Sequence, residues 1–272
     1  MDDVDRLVVA GHTPPGVTSM VGYRSVPDPG VHRGLPSSTL VFIVSRNEGV
    51  YADGLAANPV VLGGMHTQAS TIRTPVAQEG VQVAVHPLAS RALFGRPAAE
   101  LDVSTFSGLD QLGARAGRLH QRMSETSSWA ASFDVLRADL VSVWNPDLLP
   151  RPELVAAWRL LEQGASVAST ARGVGFSERR LQTLFQGEFG CSPRMVAQLM
   201  RFERTTGLIR ASVADGARGF LADVAARAGY ADQAHLTREF RRFAGITPGG
   251  WVREEFANVQ AVDVEHGEPL EV

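Results

Sequence analysis

The strongest constraint on this chain is a stretch, residues 166 to 193, that recurs in altered form from 220 to 248. Ala171, Gly175, Phe176, Phe185, Gly190 and Pro193 answer to Ala225, Gly229, Tyr230, Phe240, Gly245 and Pro248, at an offset of 54 residues that becomes 55 after one insertion. Each copy reads as a short helix, a glycine turn and a second helix. A small alanine lets the two helices cross closely, and glycine takes a turn conformation that a side chain would strain. Ser177 and Asp232 suit the N-cap, where a side-chain oxygen accepts from the free N–H groups of the first turn. Leu181, Leu184 and Phe185 then form one apolar stripe, as do Leu236, Phe240 and Phe243 in the second copy. The opposite faces are polar and mostly basic.

A second helix that buries one stripe and presents arginine, glutamine and threonine on the other suits a DNA major groove. The repeat carries A-x3-G-F from Ala171, L-x3-F from Leu181, G-x-S-P from Gly190, and R-x7-I from Arg201 to Ile209. With these motifs, residues 152 to 253 resemble the AraC/XylS class of bacterial transcription regulators. The resemblance implies double-stranded promoter DNA and RNA polymerase as partners, a small-molecule effector, and a homodimer. It also implies a cupin-like barrel ahead of the DNA-binding half.

Charge is consistent with this placement. The net charge of −3 hides an uneven distribution: residues 1 to 150 hold 11 arginines and 14 acids, and residues 151 to 257 hold 15 and 11. Residues 258 to 272 hold four acids and no base. The positive excess therefore sits on the repeat, and it is small enough that specific contacts must add to counterion release. All 26 basic residues are arginine, which suits bidentate contacts to phosphate and guanine, although codon usage explains the bias as well.

Upstream, residues 6–10, 17–25, 39–45, 60–62 and 80–86 are short apolar or alternating runs between turn signals such as P-D-P-G and N-E-G, which predicts a compact β-rich unit. After His86 the period changes. A short helix is expected at 88–94, then amphipathic helices at 109–123 and 128–144, a hairpin that either dimerises the chain or only covers the β-unit. The prolines of 145–152 mark a boundary. Between the repeats, residues 193 to about 211 read as one helix, about 27 Å long. The fold expected is a two-domain α+β chain. An N-terminal β-rich, cupin-like domain with its hairpin spans 1–145, and an all-α domain with two helix-turn-helix units joined by a long helix spans 152–257. An acidic tail without regular structure is expected over 258–272.

On the first recognition helix the candidate DNA contacts are Arg179, Arg180, Gln182, Thr183 and Gln186, with Arg179 and Gln182 placed to read guanine and adenine. The family's base-reading positions map onto Arg179, Gln182 and Thr183. In the second copy the candidates are Gln233, His235, Thr237, Arg238, Arg241 and Arg242. The resemblance turns Gln233, Ala234, His235 and Arg238 toward the groove and makes Arg241 and Arg242 phosphate clamps. Ala234, Leu236 and Val252 depart from the family pattern, which favours backbone anchoring by this half.

Other chemistry finds little support. Cys191, the single cysteine, excludes an internal disulfide and fits a small apolar turn position. His12, His32, His66 and His86 each stand alone in their segments, without the H-x-H and glutamate of a metal-binding cupin, so no metal or cofactor is expected. No phosphate-binding or nucleophile motif suggests catalysis. No apolar run reaches membrane-spanning length and no basic signal segment opens the chain, so a cytoplasmic regulator is expected, with a cupin-type enzyme fused to a DNA-binding domain as the rival reading. A third possibility is a ligand-independent regulator that meets a protein partner through its β-unit.

Overall fold

The structure, a computed structural model, describes residues 5–25, 28–52, 57–74, 76–217, 219–259 and 262–266. Eight strands come first: β1 (Asp5–Val9), β2 (Val17–Ser25), β3 (Asp28–Gly34), β4 (Leu40–Ser45), β5 (Tyr51–Ala52), β6 (Val60–Gly63), β7 (Ser70–Thr74) and β8 (Gln78–Val85). Helices α1 (Ser90–Phe94), α2 (Gly108–Leu112), α3 (Ala114–Ser124) and α4 (Trp129–Val143) complete the first half. The second half is helical: α5 (Pro152–Glu162), α6 (Val167–Gly173), α7 (Glu178–Phe189), α8 (Pro193–Ala214), α9 (Leu221–Ala228), α10 (Gln233–Ala244) and α11 (Pro248–Val259). A ninth strand, β9 (Val262–His266), comes last.

The strands form a six-stranded sheet ordered β6-β4-β8-β2-β1-β9 and a three-stranded sheet ordered β3-β7-β5. Side chains alternate across a strand, and the large sheet uses both faces. Met20, Phe42, Val44, Val81, Val83 and Val85 are buried in the main core. The intervening Val21, Val41, Ile43 and Ala84 line a cavity instead.

The main strands fall where the alternating runs predict them, but the small sheet is an addition to that expectation. Asp28-Pro29-Gly30 reads locally as a turn, yet it opens β3, whose register slips between Asp28 and Val31. The difference has a physical cause. β3 pairs only with β7 and so is an edge strand, where proline costs no ladder bond.

The helix expected over 109–123 is broken at Gly113, whose φ of +54° ends α2 and starts α3. In the hairpin, α3 packs on β4 and β6 and α4 packs on β2, with Leu119, Met123, Phe133, Leu136 and Leu140 buried. The covering role is thus present in the fold, while Val141 on α4 is left 57% exposed.

The connecting helix α8 runs 22 residues, about 33 Å at 1.5 Å per residue, and so extends beyond the expected end at 211. The C-terminal stretch also differs from expectation. α11 continues to Val259, and β9 pairs in parallel with β1, Asp5 opposite Val262 through Val9 opposite His266. V-D-V-E-H alternates with the two-residue period of a strand, and the free edge of β1 supplies its partner. The acidic composition concealed that pattern. Residues 260–261 and 267–272 of the expected tail lie outside the described residues.

Candidate nucleic-acid interface and interdomain cavity

Both helix-turn-helix units are built as their sequences require. Gly175 and Gly229 take φ of +73° and +82° at the two turns, where any other residue would be strained. Ser177 Oγ accepts from the Arg180 amide and Asp232 Oδ1 from the His235 amide, capping α7 and α10. Leu181, Phe185 and Phe189 bury the inner stripe of α7, and Leu236, Phe240 and Phe243 that of α10. α5 closes the first unit with Trp158, whose ring stacks on Phe185 and tilts against Phe189 at 4.9 Å.

The outer face of α7 presents Arg179, Arg180, Gln182, Thr183 and Gln186 to solvent. They are not equally free. Arg180 lies over the Phe176 ring at 5.6 Å, Thr183 donates to the Arg179 carbonyl, and the Gln186 amide donates to the Gly190 carbonyl. Among the described residues, the side chains of Arg179 and Gln182 make no hydrogen bond or ion pair. Three residues apart, they share one face of the helix.

On α10, Gln233, Arg238, Arg241 and Arg242 are exposed. His235 is half-buried and meets the Tyr230 ring edge-on at 5.2 Å, while Thr237 donates to the Gln233 carbonyl. Arg242 donates to Gln198 on α8 at 3.1 Å. Two of the six second-copy candidates therefore have packing or backbone roles, and a third is tied to the connecting helix.

Sequence reasoning missed the group that sets the second unit on α8. Arg201 donates to Glu239 from Nε at 3.0 Å and from Nη2 at 2.6 Å, and the Tyr230 hydroxyl donates to Glu239 at 3.0 Å. The Arg201 guanidinium lies 4.6 Å from the Tyr230 ring centre, and burial pushes the Tyr230 phenol up to about 12. The available signal was Glu239 itself, a carboxylate sharing the buried face of α10 with Leu236, Phe240 and Phe243.

The two halves meet along several contacts. Arg91 pairs with Glu188 of α7 at 2.9 Å, Arg33 with Glu254 of α11 at 2.7 Å, and the Ala69 amide donates to the Phe243 carbonyl. Ser37 and Ser38, between β3 and β4, both donate to the Glu203 carboxylate on α8. Between the sheets and α8 lies a cavity of about 550 Å³, lined by Val21, Val41, Ile43, Ile72, Phe106 and His66 among others, with Glu203, Arg210 and Glu255 completing its wall. The His66 ring nitrogens are buried and, among the described residues, make no well-formed hydrogen bond. Burial holds this imidazole below its ordinary pKa, with the Gly64 backbone opposing.

His86 sits in the same seam, 5.1 Å from the Trp158 ring and 3.8 Å from Glu162. Burial lowers its pKa, against the pull of Glu162. A histidine depressed in the folded state favours folding while neutral, and that contribution is lost as pH falls below the ordinary value of about 6.5. The thermal midpoint of the full chain is therefore expected to drop between pH 7.5 and 5.5. His86→Asn, which keeps an acceptor for the Leu88 amide but does not titrate, should shrink the drop. An unchanged drop in that variant would remove His86 as its source.

Cys191 is buried in the turn after α7 and its thiol pKa is pushed up by burial, as befits a packing residue. Among the described residues, no three His, Cys, Asp or Glu side chains gather as a metal ion would require, and no helix is long and apolar enough to cross a membrane.

The sequence family described as "Helix-turn-helix domain" matches residues 170–254, from α6 into α11. The comparison with curated proteins found no match. Among solved structures, an apo variant of ToxT from Vibrio cholerae is 12% identical with a TM-score of 0.50, covering 86% of this chain and 97% of that one. This likeness is one of fold. Wild-type ToxT with an unsaturated fatty acid bound is 9% identical with a TM-score of 0.47, covering 89% and 97%. An AraC-type regulator from Chromobacterium violaceum is 24% identical with a TM-score of 0.34, covering 40% and 94%.

Proposed function

We propose that this chain, whose residues 170–254 match a helix-turn-helix family, is a DNA-binding transcriptional regulator of the AraC/XylS type that reads promoter sequence chiefly with α7 and grips the backbone chiefly with α10. The observation that carries this reading is the pair Arg179 and Gln182, exposed and, among the described residues, without a side-chain hydrogen bond or ion pair on one face of α7. On α10 His235 and Thr237 are engaged locally, and the exposed candidates are Gln233 and three arginines, Arg238, Arg241 and Arg242. Arginine and glutamine each form paired hydrogen bonds to one base, guanine and adenine respectively. Arg238, Arg241 and Arg242 supply charge suited to phosphate. The α8 span of about 33 Å is close to the roughly 34 Å between successive major-groove faces, so both units can engage one side of the duplex.

Residues 152–257 form the DNA-binding half in this reading, and 1–145 the half that receives a signal. The interdomain cavity is where a small molecule would act, since one of its walls is α8, the helix that both units share. A ligand that prefers one arrangement of the two halves shifts the population toward it. RNA polymerase and a second copy of the chain are the protein partners in this scheme, with the exposed side of α4 available to the latter. The protein works in the cytoplasm and carries out no catalysis.

The test is to select bound duplexes from a random pool with the full chain and with two variants. Arg179→Ala is expected to relax preference at one position, costing about 1–3 kcal/mol of discrimination. Arg241→Ala should weaken all sequences alike and lower the salt dependence by about one counterion. Sequence-blind losses from both variants would refute the division of labour.

A further inference from the structure

The interdomain cavity has a chemical preference, and the ligand class assigned from it rests on the cavity being the effector site. Among the described residues, four charged side chains line it: Arg33, Arg210, Glu203 and Glu255. Both arginines are already neutralised, Arg33 by Glu254 at 2.7 Å and Arg210 by Glu255 at 3.0 Å. Glu203 is different. Among the described residues it has no ion-pair partner, and only the hydroxyls of Ser37 and Ser38 donate to it. A carboxylate accepts at about four lone-pair sites, so Glu203 retains capacity for further donors. Counted with Glu254, these described residues leave one uncompensated negative charge.

The rest of the lining suits the same occupant. Val21, Val41, Ile43 and Ile72 offer an apolar slot between the two sheets. Phe106 adds an aromatic ring and is the sole non-glycine with positive φ among the described residues, at +53°. That conformation is uncommon and persists only where surrounding bonds enforce it. Here Asp102 enforces it, accepting from the backbone amides of Ser104, Thr105 and Phe106. The ring so pinned stands edge-on to His66 at 5.8 Å and offers an aromatic wall to the body of a ligand. The His66 nitrogens, which make no well-formed hydrogen bond among the described residues, supply one neutral hydrogen-bonding point.

We propose that the interdomain cavity is built for an organic cation, with an apolar or aromatic body between the sheets and its positive group on Glu203. An anionic ligand would face the unpaired Glu203 and would have to compete with Glu254 or Glu255 for an arginine. A cation pairs without breaking any contact. It also adds a bond between the β-unit and α8, which couples occupancy to both DNA-binding units.

Three molecules of like body and different charge decide the matter: 4-phenylbutylamine, 4-phenylbutanol and 4-phenylbutyrate, titrated calorimetrically into the full chain at pH 7.5. The amine should bind at least about 10-fold tighter than the alcohol, the range of a charge-assisted hydrogen bond, and the acid should be weakest. Glu203→Gln should reduce the amine to the affinity of the alcohol while leaving the alcohol unchanged, and Ser38→Ala should preserve the preference for the amine. An acid that binds as tightly as the amine overturns the charge assignment whether or not the Gln variant folds, as does a Gln variant that still prefers the amine. If none of the three binds, the cavity is not an effector site for this class and the reading beneath the proposal falls as well.

Discussion

Replacing Trp158 by alanine is expected to cost about 3–5 kcal/mol, the range for emptying a buried aromatic site, and to abolish specific DNA binding near physiological temperature. The indole is 1% exposed, stacks on Phe185 and tilts against Phe189 of α7, and touches His86 of the β-unit. Its Nε1 donates to Glu162 at 2.8 Å. Truncation would remove the wall against which α7 is set and loosen the seam between the halves together. Denaturant unfolding of the full chain, paired with affinity for a selected duplex, measures both effects. A midpoint change worth less than about 1 kcal/mol would show that the site collapses around the gap.

The second large effect is expected at Glu239. Glu239→Ala removes the acceptor of two Arg201 nitrogens and of the Tyr230 hydroxyl. Breaking a buried pair from one side costs about 3–5 kcal/mol because a charge is left behind. Arg201 keeps 26% side-chain exposure, so the lower end applies. Base reading by α7 should be spared: preference at the Arg179 position is expected to survive while overall affinity falls. The double change Arg201→Met with Glu239→Leu should cost less than Glu239→Ala alone, since it leaves no orphaned charge. A costlier double change would mean that the ion pair itself stabilises the unit.

These residues mark where sequence reading stops. Arg201 was visible as the start of R-x7-I, but its partner lies 38 residues away and no local period connects the two. Arg179 and Gln182 were legible because a helix fixes which residues share a face. Which of the exposed side chains remain unpartnered was not, since Gln186 and Thr183 fold back on the backbone and Arg242 reaches to α8. In the β-unit, apolar alternation located β2, β4 and β8. The small sheet escaped because its strands carry turn residues and polar side chains, tolerated at an edge and beside a cavity.

By itself the sequence determined the two helix-turn-helix units, their caps, glycine turns and buried stripes, because each depends on contacts within a few residues. It also located the basic excess on that half. The tertiary structure alone decided how the halves meet: Trp158 against His86, Ser37 and Ser38 on Glu203, Arg33 on Glu254, and a cavity in which Glu203 is left uncompensated among the described residues. Such pairings join segments far apart in the chain, and neither period nor composition encodes them. Only close packing brings them within reach.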